Sequence, residues 1–155
     1  MTFNTLSAET RKTSVKALQP MLASSLYLAR VAKHAHWNVV GPTFISTHRL
    51  LDEVYEAAED WADDLAERIR GLSGTAEGMP DEMIENSHIG FAKAGVKPAT
   101  YYIEMVAEGL GILSKMFREQ VNPLNKDDPA TSNMLQDLSG KADQFVFLLE
   151  SHLGS

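Results

Sequence analysis

Five side chains of metal-ligand type recur at helical spacing around a Gly-Pro pair in this sequence. They are His36, His48, Asp52, Asp63 and Glu67. His48 and Asp52 lie four residues apart, as do Asp63 and Glu67, so each pair can face one ion from the same side of a helix. The chain has no cysteine, which excludes thiolate sites and thiol catalysis. Imidazole and carboxylate ligands without thiolates suit iron, manganese or zinc.

The elements that must position these residues are helices, because apolar residues recur three or four apart and sustained period-two alternation is absent. We expect four long helices, over about residues 8–37, 43–70, 98–121 and 129–153. Pro20 is expected to kink or divide the first helix, and residues 122–128 to form a loop. The connection 71–97 can hold a short helix over 81–86. The pattern predicts an all-α four-helix bundle whose third long helix runs parallel to the second.

The composition is that of one globular domain. The 155 residues are 44% hydrophobic and 23% charged, and no apolar run approaches the roughly 20 residues that cross a membrane. The first residues contain no apolar signal region, so we expect a cytoplasmic protein. A single domain is expected over residues 1–155, with 1–7 as a short tail. The net charge of −7 argues against a charge-driven grip on nucleic acid.

The second helix presents two stripes when its residues are projected at about 100° each. The first stripe is apolar and comprises Leu51, Val54, Ala58, Ala62, Leu65 and Ile69. The second stripe holds four of the ligand-type residues and faces away from the chain's own core. Trp61 falls at the edge of the apolar stripe, where it is expected to pack. The ligand-type stripe is therefore free to meet something outside this chain.

Distance along the second helix decides how many chains a metal site would need. His48 and Asp63 are fifteen residues apart, or about 22 Å along a helix, so one ion cannot touch both ligand pairs. Two copies packed antiparallel about a two-fold axis near residues 57–58 would set the histidine end of one chain against the acidic end of the other. His36 could complete the histidine side through the short connection 38–43. On spacing alone, solvated surface acids are an equally good interpretation.

The residues around these positions resemble the Dps family, the DNA-binding proteins from starved cells, also called miniferritins. The matching segments are His36-Trp37-Asn38-Val39, Gly41-Pro42, Phe44, His48, Asp52 and Asp63-Asp64-Leu65-Ala66-Glu67-Arg68. The resemblance covers most of the chain and is densest over residues 26–72. It implies a ferritin-like four-helix bundle with a short extra helix between helices two and three. It also implies a hollow homo-oligomeric shell of twelve subunits.

An activity follows from the same resemblance. Family members oxidise ferrous iron at ferroxidase centres between two-fold-related subunits, usually preferring hydrogen peroxide to dioxygen. They store the ferric product as an oxide mineral, which protects against oxidative damage. Carried over residue by residue, the resemblance implies metal-binding and catalytic roles for His36, His48 and Asp52 of one subunit, with Asp63 and Glu67 of its partner. Iron is the implied ion, with zinc as a substitute.

The start of the chain departs from the family pattern. Many members carry a lysine-rich N-terminal tail that binds DNA, whereas this chain has only Arg11, Lys12 and Lys16 there. DNA binding is therefore not expected, although a DNA-binding nucleoid protein with a secondary metal site is the alternative function. A helical bundle that serves assembly alone is a third interpretation.

Two further departures concern iron entry and electron transfer. In the family, acidic three-fold pores lie near the start of the last helix, and Asn133 stands here where an acid is common. The nearby acids that could replace it are Asp127, Asp128 and Asp137. Phe147 stands where a tryptophan is frequent near the iron site, which leaves Trp37 as the nearby electron-donating aromatic. His34 is expected to be a solvated surface residue, because it points away from His36 on a helix.

Overall fold

Four long helices form most of the molecule, which the computed structural model describes over residues 3–90 and 93–154. The elements in chain order are α1 (Ala8–Asn38), β1 (Val39–Val40), α2 (Phe44–Gly71), α3 (Pro80–Asn86), β2 (Lys97–Pro98), α4 (Ala99–Asn125) and α5 (Pro129–Glu150). This arrangement confirms the predicted all-α four-helix bundle with a short extra helix in the long connection. None of the helices in the described ranges is both long enough and apolar enough to cross a membrane.

Pro20 was expected to kink or divide α1, and the helix is not divided, because it runs unbroken through the proline. Ser7 caps its start by accepting a hydrogen bond from the backbone N–H of Thr10 at 3.0 Å, which satisfies one of the free donors of the first turn. Pro20 lies inside the helix and removes one backbone donor. Leu18 and Met21 on either side of it are buried in the core, and their packing holds the helix together across the missing bond.

The C-terminal ends of α4 and α5 also differ from the prediction. The helix α4 continues through Asn122-Pro123 to Asn125, because Leu124 is buried in the core after the proline and its carbonyl accepts from the backbone N–H of Asp128 at 2.8 Å. The loop before α5 is therefore shorter than predicted. The helix α5 ends at Glu150, where the hydroxyl of Ser151 donates to the carbonyl of Phe147 at 2.7 Å and competes with the helical bond.

The two short strands fix the relative direction of the helices. Val39 pairs with Lys97 in parallel register, so β1, which precedes α2, lies beside β2, which precedes α4. The starts of α2 and α4 therefore lie at the same end of the bundle, and the two helices run parallel as predicted. Arg68 near the end of α2 contacts Asp128 at the start of α5 at 2.6 Å, which shows that these two helices run antiparallel.

The apolar stripe predicted for α2 is buried in the bundle. Its six residues are all buried, namely Leu51, Val54, Ala58, Ala62, Leu65 and Ile69. Trp61 also packs as predicted, with its ring centroid 6.4 Å from that of Phe117 and 6.2 Å from that of Phe145. Burial of this stripe sets the rotation of α2 about its axis. The ligand-type stripe consequently faces away from the core of its own chain.

A buried carboxylate joins three helices at the end of the bundle that holds the α2 C-terminus. The side chain of Asp128 is 1% exposed and contacts the Arg68 guanidinium at 2.6 Å. It accepts hydrogen bonds from Ser14 at 2.8 Å and from the Thr131 hydroxyl at 2.5 Å. Burial alone would raise the pKa of Asp128, but these hydrogen bonds and the Arg68 charge outweigh it and lower the pKa. Of the three nearby acids named as replacements for Asn133, Asp128 is therefore excluded, because its carboxylate is enclosed within the bundle.

Candidate metal centre

A tight turn brings His36 at the end of α1 against His48 in the first turns of α2. Gly41 has φ = +127°, a conformation that L side chains rarely adopt, and its carbonyl accepts from the Phe44 backbone N–H at 3.0 Å. The chain therefore reverses within a few residues. The two imidazole rings stack with centroids 3.6 Å apart and planes 19° from parallel.

Reciprocal hydrogen bonds hold the two imidazoles in place. The Nδ1 atom of His36 lies 2.7 Å from the backbone carbonyl of His48, and the Nδ1 atom of His48 lies 2.8 Å from the carbonyl of His36. A carbonyl oxygen only accepts, so each Nδ1 carries the proton and donates. This leaves Nε2 of each ring as the atom that can bind a metal, which is the arrangement of a metal-binding histidine oriented by a backbone carbonyl.

Asp52 lies beside this histidine pair, one helical turn after His48. Its Oδ1 atom is 3.9 Å from Nδ1 of His36, and its side chain is 35% exposed. Lys33 of α1 contacts the same oxygen. The hydrogen bond from Lys33 is the main reason that the pKa of Asp52 lies below its ordinary value, with the nearby histidines adding to the effect.

Aromatic and apolar side chains in and around the turn that joins α1 to α2 are exposed on this chain. The Phe44 ring centroid lies 4.9 Å from that of His48, and Trp37, next to His36, is 68% exposed. Val40 and Ile45 are also exposed. Exposed apolar side chains clustered in one short segment are typical of a surface that contacts another protein chain.

Asp63 and Glu67 lie at the other end of α2, and both are exposed. Neither carboxylate has a hydrogen-bond or ion-pair partner among residues 3–90 and 93–154. They are about 22 Å along the helix from His48 and Asp52, so the fold does not bring the two halves together within one chain. Within the described part of the chain, no three histidine, aspartate or glutamate side chains are disposed to hold a metal ion.

The structure thus collects three of the five predicted residues and leaves two apart. Lys33 was not predicted from the sequence, although it lies three residues before His36 and so falls on the same side of α1. His34 was expected to be a solvated surface residue, but its Nε2 atom is enclosed and has no hydrogen-bond partner in the part of the chain that the structure describes. Its ring lies edge-on to the buried Tyr102, with centroids 6.1 Å apart.

Comparison with known proteins places this chain among its relatives. A family model described as a ferritin-like domain matches residues 15–155. The DNA protection during starvation protein of Mycolicibacterium smegmatis is 30% identical over 141 residues, which cover 89% of this chain and 75% of that protein. This chain belongs to the Dps family. The Dps protein of the same name from Agrobacterium fabrum is 29% identical over 153 residues, covering 98% and 94% of the two chains.

Solved Dps structures share the whole fold. Mycobacterium smegmatis Dps superposes with a TM-score of 0.94 at 26% identity, covering 100% of this chain and 89% of that one. DpsA14 from Streptomyces coelicolor gives a TM-score of 0.92 at 30% identity, with 98% and 90% covered. Dps from Microbacterium arborescens, in its high iron form, gives 0.91 at 25% identity, with 100% and 99% covered. The similarity to the Dps family therefore extends over the helices that carry all five ligand-type residues.

Proposed function

We propose that this protein is an iron-storing ferroxidase whose catalytic centres are shared between two chains. The observation that carries the proposal is the reciprocal clamp between His36 and His48. It orients two imidazoles beside the carboxylate of Asp52 before any metal arrives. A pair of ordinary surface histidines would have no reason to be locked in the tautomer that a metal requires.

The missing ligands come, in this proposal, from the partner chain. Asp63 and Glu67 lie on the same outward stripe of α2 as His48 and Asp52. An antiparallel pair of α2 helices, with its two-fold axis near residues 57–58, would bring the acidic end of one chain to the histidine end of the other. Two equivalent centres about 22 Å apart would result. The exposed apolar side chains of the turn between α1 and α2 would be buried by the same contact.

The donor set fits ferrous iron as a substrate. Neutral imidazole is a good ligand for ferrous ions, and carboxylates favour the ferric state that oxidation produces. Two ferrous ions bound together give one electron each to hydrogen peroxide. The O–O bond then breaks and, with two protons, yields two water molecules. Since both electrons are delivered at one centre, no hydroxyl radical is released, and the iron oxidation protects against oxidative damage.

The oxidised iron is stored by the protein that produces it. The ferric product collects as oxide inside a homo-oligomeric shell, which we take to have twelve subunits in a cytoplasmic setting. Hydrogen peroxide is the preferred oxidant, with dioxygen slower, and zinc can occupy the centre as a redox-inert substitute for iron. The Microbacterium arborescens relative, whose structure was solved in a high iron form, supports iron as the cargo.

The proposal is tested by optical measurement of ferrous iron oxidation after peroxide is added without air. We expect Asp52→Ala and Glu67→Ala to slow the initial oxidation by more than about tenfold, because each removes a carboxylate from one half of the shared centre. Glu53→Ala and Asp64→Ala are matched controls, since these exposed acids are the immediate neighbours of candidate ligands. Unchanged oxidation in both Asp52→Ala and Glu67→Ala would show that the proposed centre is wrong.

A further inference from the structure

The residues His36, His48 and Asp52 form what we call the histidine half-site. Lys33 is held against this half-site, although a charged lysine side chain is not a metal ligand. Its ammonium contacts Oδ1 of Asp52 and lies 4.6 Å from the ring centroid of Tyr55. Its side chain is 24% exposed, so the contact is partly shielded from water. One cation therefore already occupies an oxygen of the only carboxylate that this half-site contains.

We propose that Lys33 is the built-in counter-ion of the metal-free half-site and that an incoming divalent cation must displace it from Asp52. Lys33 would thereby set how tightly the centre binds ferrous iron. This inference rests on the proposed function, because it assumes that Asp52 is a ligand.

Charge balance explains why such a counter-ion would be useful. In the absence of metal, the Lys33 ammonium lies against the Asp52 carboxylate and balances its charge. The same contact holds the carboxylate next to the histidine pair. A divalent ion on the same carboxylate would lie within a few ångströms of the ammonium, and the repulsion between them would weaken metal binding.

The surroundings offer the displaced ammonium a place to go. Lysine has a flexible four-carbon stem, and the face of Tyr55 attracts cations. The ammonium can therefore leave Asp52 while staying against the ring. Displacement then requires no movement of α1 or α2, and the clamp between His36 and His48 stays intact.

Arg30 supplies a natural comparison for Lys33. It lies one turn earlier on α1, and its guanidinium carbon is 5.2 Å from the centroid of the same Tyr55 ring. Its ion-pair partner is Glu59, which is not a candidate ligand. Arg30 and Lys33 thus carry the same charge on the same surface and share one aromatic contact, but only Lys33 touches Asp52.

The experiment is a calorimetric titration of the assembled, metal-free protein with Zn²⁺, which binds without redox chemistry. We expect Lys33→Met to bind Zn²⁺ about tenfold more tightly than the wild type, and Arg30→Met to change the affinity by less than about threefold, since Arg30 is farther away and screened. Lys33→Arg, which keeps the charge at this position, should stay close to the wild type. Thermal unfolding of each variant checks that the fold is retained.

The outcomes separate this inference from the proposed function. Zn²⁺ binding by the wild type with equal or weaker binding by Lys33→Met overturns the counter-ion role, and leaves the centre itself standing. An equal gain in Lys33→Met and Arg30→Met would also overturn it, because the effect would then come from the general charge of the surface. Failure of both wild type and Lys33→Met to bind Zn²⁺ would remove the centre, and the proposed function with it.

Discussion

The two ends of α2 carry candidate ligands in opposite states. At the histidine end, each imidazole is bonded to the backbone of the other residue, and Asp52 is held by Lys33. At the acidic end, Asp63 and Glu67 are exposed and have no partner among the described residues. One half is ordered by the fold of a single chain, while the other would be ordered only by contact with a second chain.

The two halves differ in the step at which their side chains lose conformational entropy. Fixing the side chains of the histidine half costs conformational entropy during folding, and packing of α1 against α2 offsets it. The carboxylates of the acidic half would keep their rotamer freedom until a second chain contacts them. A centre with one rigid half and one adaptable half could form when two chains meet, without both surfaces having to be preformed.

The acidic end of α2 is nevertheless anchored to the bundle by the side chain of a neighbouring residue. Arg68 follows Glu67 directly and contacts the buried Asp128 at 2.6 Å. Asp128 also accepts hydrogen bonds from Ser14 and Thr131. The contrast between the two ends therefore concerns the candidate ligands themselves, because the helix that carries them is held at both ends.

The largest expected effect comes from removing this anchor. Asp128→Ala should lower the free energy of unfolding by about 3 kcal/mol, because the partly buried Arg68 and two hydroxyl groups lose their acceptor. Chemical denaturation at neutral pH measures it. Asp127→Ala is the matched control, since Asp127 is the exposed neighbour, and it should change the stability by less than about 0.5 kcal/mol.

The stability gap between wild type and Asp128→Ala should also depend on pH. The pKa of Asp128 in the folded protein lies below its ordinary value of 3.8. Its contribution is therefore fully present above that value and is lost as the pH falls toward the folded pKa. A gap that stayed constant between pH 6 and pH 3 would contradict the role given to the ionised carboxylate.

A smaller effect is expected at the turn that forms the histidine end. Gly41→Ala places a side chain at φ = +127° and should cost about 1–2 kcal/mol of stability. It should also weaken Zn²⁺ binding about tenfold, because the clamp between His36 and His48 depends on this turn. Gly111→Ala is the control: this glycine is exposed within α4, and an added Cβ there meets nothing within 4 Å.

The two measurements on the turn variant have distinct consequences. Gly111→Ala should raise the stability by about 0.5–1 kcal/mol, as expected for replacing a glycine inside a helix, without changing Zn²⁺ affinity. If Gly41→Ala lost stability but kept its full Zn²⁺ affinity, the histidine half would not need its preformed geometry. The comparison between a rigid and an adaptable half would then fail.

Much of this organisation could be predicted from the sequence because it follows from helical periodicity. The apolar stripe of α2 and the outward position of His48 and Asp52 come directly from residues three and four apart, and the structure confirms them. The continuity of α1 and the end of α4 were harder to predict, since Pro20 and Pro123 each favour a helix break in the local sequence. Buried residues beside each proline overrode that signal through contacts distant in sequence.

The features that sequence reasoning missed are all contacts between different elements. Three contacts depend on how the helices pack, namely Lys33 with Asp52, His34 with Tyr102, and Asp128 with its hydrogen-bond donors. Only the first had a local signal, which is the three-residue spacing of Lys33 and His36. The assignment of the five ligand-type residues to one shared centre stays a prediction, as does the expected lack of DNA binding.

Mixing two defective subunits tests whether each centre takes its ligands from two chains. Asp52→Ala and Glu67→Ala chains are co-expressed with different tags, and the mixed assemblies are purified and assayed for ferrous iron oxidation. In a mixed pair, one centre carries both defects and the other carries neither. With random pairing, about a quarter of all centres are therefore intact. We expect oxidation at about that fraction of the wild-type rate, well above either variant alone. Mixed assemblies no more active than the separate variants would contradict a centre shared between chains.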